Sequence, residues 1–269
     1  NPIMYIEDVF EDCLYGDTPA GRDTIGTKKN ILGFSRKDFL DYLSAQYGTH
    51  NSFVCLVGNL GGKTEKQSFV GTQNFVSVQK YFSSDKFAHR GLNFKEKDAV
   101  RENQAKPQVK IHYKKTDQVH LSLGVRTFGY NHKDKLIAKL LSIILGGSMS
   151  SRLFINLRER HGLAYYVRTE VETYSDSGYL ATRAGVPVNK AALAIKIILA
   201  EYKKLKKGQV LARELKRIKD LLAGRLAIQL EASDNLASWY GRQALLFNTI
   251  KRESGSQQFS LRKILTPES

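Results

Sequence analysis

The sequence contains little cysteine, and its two cysteines show no metal or redox spacing. Cys13 and Cys55 can form at most one disulfide, and the 269 residues contain no C-x-x-C motif. A cysteine-based zinc finger is therefore excluded. We expect two buried thiols in a reducing compartment, which indicates the cytoplasm.

Long hydrophobic runs are also missing. The longest, such as LIAKLLSIILGG at 136–147, are interrupted by polar residues and are shorter than the roughly 20 apolar residues that span a bilayer. We therefore predict no membrane span. No secretory signal is visible, but the chain begins Asn-Pro-Ile rather than with Met, and we expect further residues to precede Asn1.

Acidic residues are few relative to basic ones. The chain has 42 Lys and Arg against 26 Asp and Glu, a net charge of +16. Such an excess is typical of nucleic-acid or acidic-membrane binding, and equally of a lysine-rich solvated surface. The basic residues are spread along the chain, and no RNP-like motif or helix-turn-helix is present. We therefore do not expect nucleic acid as a partner.

Hydrophobic periodicity predicts an alternation of helices and paired strands. Helices are predicted at 5–15, 36–48 after the N-cap Ser35, 75–82, 132–146, 148–162, 189–208 and 212–247. Strands are predicted at 52–59, 108–115 and 118–128, and as a hairpin over 163–187 around the turn SDSG.

The order of these elements predicts an α+β fold. Adjacent strands followed by adjacent helices favour an antiparallel sheet with helices on one face, whereas a doubly wound fold needs strict strand–helix alternation. The polar, aperiodic stretch around 90–107 is the best candidate for a linker. We therefore divide the chain into a first domain at 1–89, the linker at 90–107 and a second domain at 108–269.

The stretch LGGSMSSRLFINLRERHGLAYYV, Leu145–Val167, is the most informative part of the chain. It is not a Walker loop, because its glycines follow a helix and no lysine stands at the next helix start, and it lacks G-x-G-x-x-G. Gly146 or Gly147 ends one helix, and Ser148 or Ser150 caps the next. The packed face of this second helix is predicted to consist of Leu153, Phe154 and Leu157.

Arg158 and Tyr165 are the candidate site residues. Arg158 falls in the last turn of the predicted helix and Tyr165 near the start of the next strand, so both can reach the same end of the sheet. An arginine beside a phenol suits a clamp for a carbonyl oxygen that becomes an oxyanion. The alternatives remain open, because arginine favours helix C-termini and strand tyrosines commonly pack.

Several motifs follow one another in an order that resembles a known family. In the second half these are ILGGSMSSRLF (144–154), LRERHGLAY (157–165) and YSDSGY (174–179), and HLSLGV at 120–125 precedes them. In the first half they are GDTPAGRDTIGTKKNI (16–31), FSRKDF (34–39) and SFVCLVGNL (52–60). Together they resemble the M16 metallopeptidases, which include pitrilysin, insulinase and the mitochondrial processing peptidases, over nearly the whole chain.

The resemblance implies two homologous layered α+β domains that close around a peptide. In the family, the first domain carries the inverted zinc motif H-x-x-E-H and a distal glutamate ligand, and the motif's glutamate activates the zinc-bound water. The second domain supplies an arginine and a tyrosine, seven residues apart, that hold the substrate carbonyl. On this sequence those two match Arg158 and Tyr165.

The histidines depart from the family's pattern. None of the six is followed by x-x-E-H: His50, His89, His112, His120, His132 and His161. We therefore expect no metal ligand in this chain and expect zinc to be bound by a segment upstream of Asn1. KILTPES at the C-terminus loosely repeats NILGFSRK at 30–37, so we expect both domains to be incomplete. His161, which lies close to Arg158 in the sequence, is the histidine to examine.

Two functions follow from the resemblance. The first is a zinc-dependent endopeptidase whose substrate clamp lies in this chain, with a peptide or unfolded protein as substrate and this fragment alone inactive. The second is a non-catalytic partner subunit that completes another chain's active site or acts as a scaffold, in a homo- or heterodimer with another M16-like chain. The presence of H-x-x-E-H upstream discriminates between them.

Overall fold

The computed structural model describes residues 1–47, 52–58, 97–101 and 104–247. The described residues fall into two compact units: those within 1–26 and 98–224 form one, and those within 27–97 and 225–247 form the other. In this grouping the first 26 residues associate with the second half of the chain, and the division into domains at 1–89 and 108–269 stays a prediction. The homology of two domains and the linker at 90–107 stay predictions, and the helix predicted at 75–82 lies outside the described residues.

Helices and an antiparallel sheet account for most of the described chain, so the predicted α+β class is confirmed. The strands are β1 (Gln118–Thr127), β2 (Tyr166–Thr173) and β3 (Gly178–Pro187), and Val188–Lys190 form a 3₁₀ turn. The helices are α1 (Pro2–Tyr15), α2 (Lys28–Gly33), α3 (Arg36–Gln46), α4 (Lys135–Gly146), α5 (Phe154–Arg160), α6 (Ala191–Lys206), α7 (Ala212–Glu231) and α8 (Ser233–Phe247).

Local capping explains where several helices begin. The Asn1 side chain accepts a hydrogen bond from the Ile3 amide at the start of α1, and Pro2 suits the first helical position because its missing N–H is not needed there. At α3, Ser35 and Asp38 form a capping box, so the predicted N-cap is confirmed.

Two predicted strands are wrong. Residues 52–58 and 108–115 form no strand, although both contain closely spaced apolar residues. Val109, Ile111 and Tyr113 are highly exposed. A strand requires a hydrogen-bonded neighbour, and period-two alternation does not supply one; within the described ranges no strand pairs with either segment.

The sheet has the strand order β1-β3-β2, and both pairings are antiparallel. The hairpin predicted around SDSG is confirmed as β2 and β3. Because side chains alternate across a strand, Leu180, Ala184 and Val186 on β3 lie on one face and Tyr179 and Ala181 on the other.

The helices α4, α5 and α6 cover the first face. Their buried side chains join those of β2 and β3 in one apolar cluster that includes Leu145, Leu157, Val167 and Ile198. Burying apolar area of this kind contributes about 25 cal/mol per Å² removed from water. This is the layer of helices on one sheet face that the element order predicts.

A chain of hydrogen bonds runs through this core. The hydroxyls of Thr169 and Thr182 lie 2.7 Å apart, and the Thr182 hydroxyl lies 2.9 Å from that of Tyr202. The Tyr202 hydroxyl donates to the Leu123 carbonyl at 3.1 Å. Burial raises the pKa of Tyr202 to about 12, so the phenol stays protonated and can donate. These bonds satisfy polar groups that would otherwise be buried without partners.

The second face is partly covered by α1. Leu14 and Tyr15 pack against Tyr179 and Ala181, so α1 lies opposite the other helices. The element order alone did not indicate this placement. The contact is also polar, because Glu7 forms an ion pair with Arg183, and the Tyr179 hydroxyl donates to Glu11.

Candidate functional site

Arg158 lies near the end of α5, as the sequence predicts, but α5 is π-helical rather than α-helical. Such segments are rare and are frequent at functional sites. Arg158 is exposed, and its guanidinium carbon lies 5.2 Å from the centre of the Phe154 ring. A cation over an aromatic face is held weakly, by about 0.5–1 kcal/mol at exposed sites. The Phe154 ring therefore orients the Arg158 side chain, and the guanidinium N–H groups stay available to bind a ligand.

The corner between α5 and β2 is held by backbone hydrogen bonds. The Leu157 carbonyl accepts from the amides of Leu163 at 2.7 Å and Ala164 at 3.3 Å. Gly162 has a φ of +56°, in the left-handed region that favours glycine. Leu157, Leu163 and Ala164 are all buried. The seven-residue interval from Arg158 to Tyr165 is consequently a packed turn.

Tyr165 immediately precedes β2. Its amide donates to the Gly185 carbonyl at 2.9 Å, which ties this end of the hairpin together. The side chain is 59% exposed, which is unusual for a tyrosine placed for packing. The structure therefore places both predicted site residues on the surface of one helix-to-strand corner.

Neither candidate side chain forms a hydrogen bond with another described residue. Among the described residues, no hydrogen-bond acceptor meets the Arg158 guanidinium, and the Tyr165 hydroxyl has no partner. An arginine has five N–H donors and a phenol has one O–H donor. The corner thus presents two kinds of donor that remain available to a ligand.

Asn156 anchors the helix that carries Arg158, and the sequence did not single it out. Its side-chain amide donates to Glu201 on α6 at 2.8 Å, and its side-chain oxygen accepts from Arg160 at 3.2 Å. Its backbone carbonyl lies 2.6 Å from Nδ1 of His161. A carbonyl can only accept, so His161 donates from Nδ1, and this bond closes the helix end.

Glu201 and Arg152 connect α5 to α6 and α7. Glu201 is only 3% exposed and also accepts from Lys204 at 2.6 Å. Arg152 binds both carboxylate oxygens of Glu214, with Nε to Oε1 at 2.8 Å. Hydrogen bonds from Arg152 lower the pKa of the Glu214 carboxyl. A cavity of about 570 Å³ lies beside this network, lined by Arg152, Asn156, Arg160, Glu201 and Lys204 among others.

The described histidines each contact a neighbouring residue, and Nδ1 of His132 also lies 3.8 Å from the Asp134 carboxylate. His112 packs edge-on against Tyr5, His120 lies 3.0 Å from the Tyr166 hydroxyl, and His132 stacks on Phe128. In the described ranges, no group of three or more His, Cys, Asp or Glu side chains could hold a metal ion. These residues therefore do not fit a zinc site, and the upstream location of zinc stays a prediction. His50 and His89 lie outside the described residues.

Two further predictions concern burial and membranes. Cys13 and Cys55 are free but only partly buried, so the expected burial of both thiols is wrong. Over the residues that the structure describes, no helix combines the length and apolarity needed to cross a bilayer.

Comparison with known sequences assigns the family. The family model described as "Peptidase M16 inactive domain" matches residues 33–222, which is more than two thirds of the chain. This chain belongs to the M16 peptidase family. The matched range includes α3, the sheet and the corner that carries Arg158 and Tyr165.

The M16 relatives are named as proteases. The chain is 27% identical to the uncharacterized zinc protease YmxG of Bacillus subtilis over 250 residues, covering 93% of this chain and 57% of the relative. It is 31% identical to an uncharacterized zinc protease of Rickettsia felis, covering 86% and 52% respectively. The chain thus spans a little over half the length of these relatives.

Solved structures share the fold. A peptidase M16 inactive domain from Pseudomonas fluorescens matches with a TM-score of 0.75 at 18% identity, covering 93% of this chain and 57% of that one. A protease from Helicobacter pylori matches with a TM-score of 0.69 at 24% identity, covering 89% and 56%. At these identities the likeness establishes the M16 fold alone.

Proposed function

We propose that this chain supplies the substrate-carbonyl clamp of an M16 zinc endopeptidase. Arg158 and Tyr165 donate hydrogen bonds to the oxygen of the scissile peptide carbonyl, and these bonds strengthen as that oxygen gains negative charge. Donors that are already oriented towards developing charge need no reorganisation during the reaction. The observation that carries the proposal is the exposure of both side chains, without described acceptors, on one packed corner.

The position of β2 suggests how a peptide would approach. Within the described sheet, β2 pairs with β3 alone, so its other side is an edge in this part of the chain. An extended peptide can bind such an edge by adding a strand. Because Tyr165 immediately precedes β2, a peptide lying there would carry its backbone past the Tyr165 hydroxyl.

We assign the chemistry of bond cleavage to residues outside the described part of the chain. Among the described residues none forms a zinc site, so the water that attacks the carbonyl would be activated by zinc bound outside them. This chain by itself is accordingly expected to bind peptide without hydrolysing it. The whole protein's activity, its peptide or unfolded-protein substrates, and its homo- or heterodimeric state belong to this proposal.

The alternative is a partner subunit whose clamp completes the active site of another M16 chain. The description of the matching family model as an inactive domain favours it. The full-length protein, purified alone, discriminates the two. Stoichiometric zinc and peptide hydrolysis would identify an endopeptidase. Absence of both, with hydrolysis appearing only after a zinc-bearing M16 chain is added, would identify a partner subunit.

The clamp itself is tested by substitution in whichever assembly hydrolyses peptide. Arg158→Ala and Tyr165→Phe should each lower kcat by about 10²-fold, the effect of removing one oxyanion donor, while zinc content and circular dichroism stay unchanged. Arg160→Ala is the matched control, because Arg160 lies on the same helix but is bonded to Asn156. Wild-type kcat in both clamp variants would refute the assignment.

A further inference from the structure

A row of three residues crosses the sheet beside Tyr165. Gly185 on the central strand β3 is the cross-strand partner of His120 on β1 and of Tyr166 on β2. Residues directly opposite each other in antiparallel strands direct their side chains to the same face. The row therefore lies on the face that α1 partly covers, at the end of the sheet where Tyr165 stands.

Gly185 leaves room for the Tyr166 ring to lie across the central strand. A β-carbon added at Gly185 would be 2.6 Å from Cε1 and 2.9 Å from Cδ1 of Tyr166, closer than such atoms ever approach. Neighbouring strands are about 4.8 Å apart, so β1 and β2 are separated by roughly twice that distance. The Tyr166 hydroxyl nevertheless reaches Nδ1 of His120, at 3.0 Å.

The ionisation states suit this contact. Burial lowers the pKa of His120, which favours the neutral imidazole with a nitrogen lone pair. Burial also raises the pKa of Tyr166, which keeps its hydroxyl protonated despite the nearby Arg183. The Tyr166 O–H can therefore donate to Nδ1, and the rings lie 5.9 Å apart at a 31° tilt.

The same glycine also holds Tyr165, because the Gly185 carbonyl accepts the Tyr165 amide. We propose that Tyr166, lying across Gly185 and bonded to His120, is a strap that positions Tyr165 for its contact with the substrate carbonyl. The strap rests on the proposed function for its catalytic consequence. His120, Tyr166 and Gly185 are positioning residues, since they act through Tyr165.

The first measurement reports the environment of the Tyr165 ring and does not depend on catalytic activity. The full-length protein is labelled with 3-fluorotyrosine at position 165 alone, and its ¹⁹F NMR signal is recorded. Tyr166→Phe, which keeps the ring on Gly185 but removes the hydroxyl, should shift and broaden that signal. Gly185→Ala should do so more strongly if it folds. Tyr113→Phe is the control. Tyr113 is exposed and distant from Tyr165 in the sequence, so its substitution should leave the signal unchanged.

The second measurement reads catalysis in the assembly that hydrolyses peptide. Tyr166→Phe and His120→Leu should lower kcat about tenfold with little change in KM or in the unfolding midpoint. His120→Asn should restore most of kcat, because the asparagine oxygen takes the place of Nδ1. In a Tyr165→Phe background, Tyr166→Phe should have no further effect, since the strap then has no hydroxyl to position.

The outcomes separate the strap from the clamp. An unchanged ¹⁹F signal in Tyr166→Phe, or a loss of kcat that adds fully to that of Tyr165→Phe, overturns the strap. Wild-type kcat in Tyr165→Phe together with a shifted ¹⁹F signal in Tyr166→Phe overturns the clamp and retains the strap as a structural positioning contact.

Discussion

Gly146 at the end of α4 lies against Thr169 in β2. A β-carbon added at Gly146 would be 2.4 Å from the Thr169 hydroxyl oxygen and 2.6 Å from its backbone nitrogen. The glycine that the sequence marks as a helix end is therefore also the point of closest approach between α4 and the sheet. Helix termination alone would tolerate other residues, whereas this contact tolerates none with a side chain.

Gly146→Ala should destabilise the full-length protein by about 1–3 kcal/mol, the range for overpacking a closely packed site. Gly224→Ala is the matched control, because Gly224 lies within α7 with no atom within 4 Å of an added β-carbon, and alanine there should stabilise by about 0.5–1 kcal/mol. Urea unfolding measures both. Equal effects of the two substitutions would contradict the close contact.

Leu157→Ala should destabilise by about 2–5 kcal/mol, because it removes a fully buried side chain and leaves a cavity. Leu157 is 0% exposed and lies between Phe154 and Arg158 in the π-helical turn. Met149→Ala, at an exposed position just before α5, should change stability by less than about 0.5 kcal/mol. The comparison is made by urea unfolding, and a small loss in Leu157→Ala would show that α5 does not depend on this core.

Glu214→Gln should lower stability at neutral pH by roughly 1–3 kcal/mol, since Arg152 would lose a mostly buried charged partner. Hydrogen bonding to Arg152 lowers the pKa of Glu214 below its ordinary 4.5. The contribution is therefore complete above that value and is lost as pH falls through the folded-state pKa.

Thermal unfolding across pH checks the Glu214 prediction. The difference between wild type and Glu214→Gln should be constant near neutrality and shrink below about pH 4. Asp17→Asn serves as the control, because Asp17 pairs with Arg22 on the surface and exposed pairs contribute little. A pH-independent difference would mean that the lost stability comes from packing rather than from the ion pair.

Glu172→Gln should raise the unfolding midpoint at neutral pH by about 1–3 °C. Burial raises the pKa of Glu172, and Glu170 and Glu7 raise it further, whereas Arg183 and Lys139 oppose them. A raised folded-state pKa means that the stabilising contribution is present at low pH and is lost as pH rises through that pKa. The gain from glutamine should consequently disappear on acidification.

Unfolding midpoints measured at acidic and at neutral pH test the prediction for Glu172→Gln. Glu159→Gln, at an exposed position in α5, should leave the midpoint unchanged at both. If Glu172→Gln instead lowers the midpoint at neutral pH, the Glu172 carboxylate makes a favourable contact that outweighs its burial and its acidic neighbours.

Features of this fold that depend on neighbouring residues are predictable from the sequence. The cap at Ser35, the turn SDSG and the period of α6 depend on residues within a few positions of each other, and the structure reproduces them. The position of Arg158 at a helix end and of Tyr165 at a strand start is local in the same way. The role of these two residues stays a proposal, because role depends on a ligand.

Features of this fold that depend on a partner distant in the chain are not predictable from the sequence. Val109, Ile111 and Tyr113 alternate as a strand does, yet the described structure offers them no neighbouring strand. The spacing of Leu153 and Leu157 fits an α-helix and a π-helix alike, and the packed corner with its bonds to the Leu157 carbonyl accompanies the π form. Neither outcome is encoded in a short window of residues.

The amino-acid sequence by itself determined the family, the fold class and the two candidate clamp residues, because motif order, periodicity and capping are properties of neighbouring positions. The tertiary structure alone decided that α1 partly covers the second sheet face, that Asn156 and Glu201 anchor α5, and that Gly185 admits the Tyr166 ring. Each of these depends on residues that are 19 or more positions apart in the chain, and their contacts follow from packing rather than from local preference.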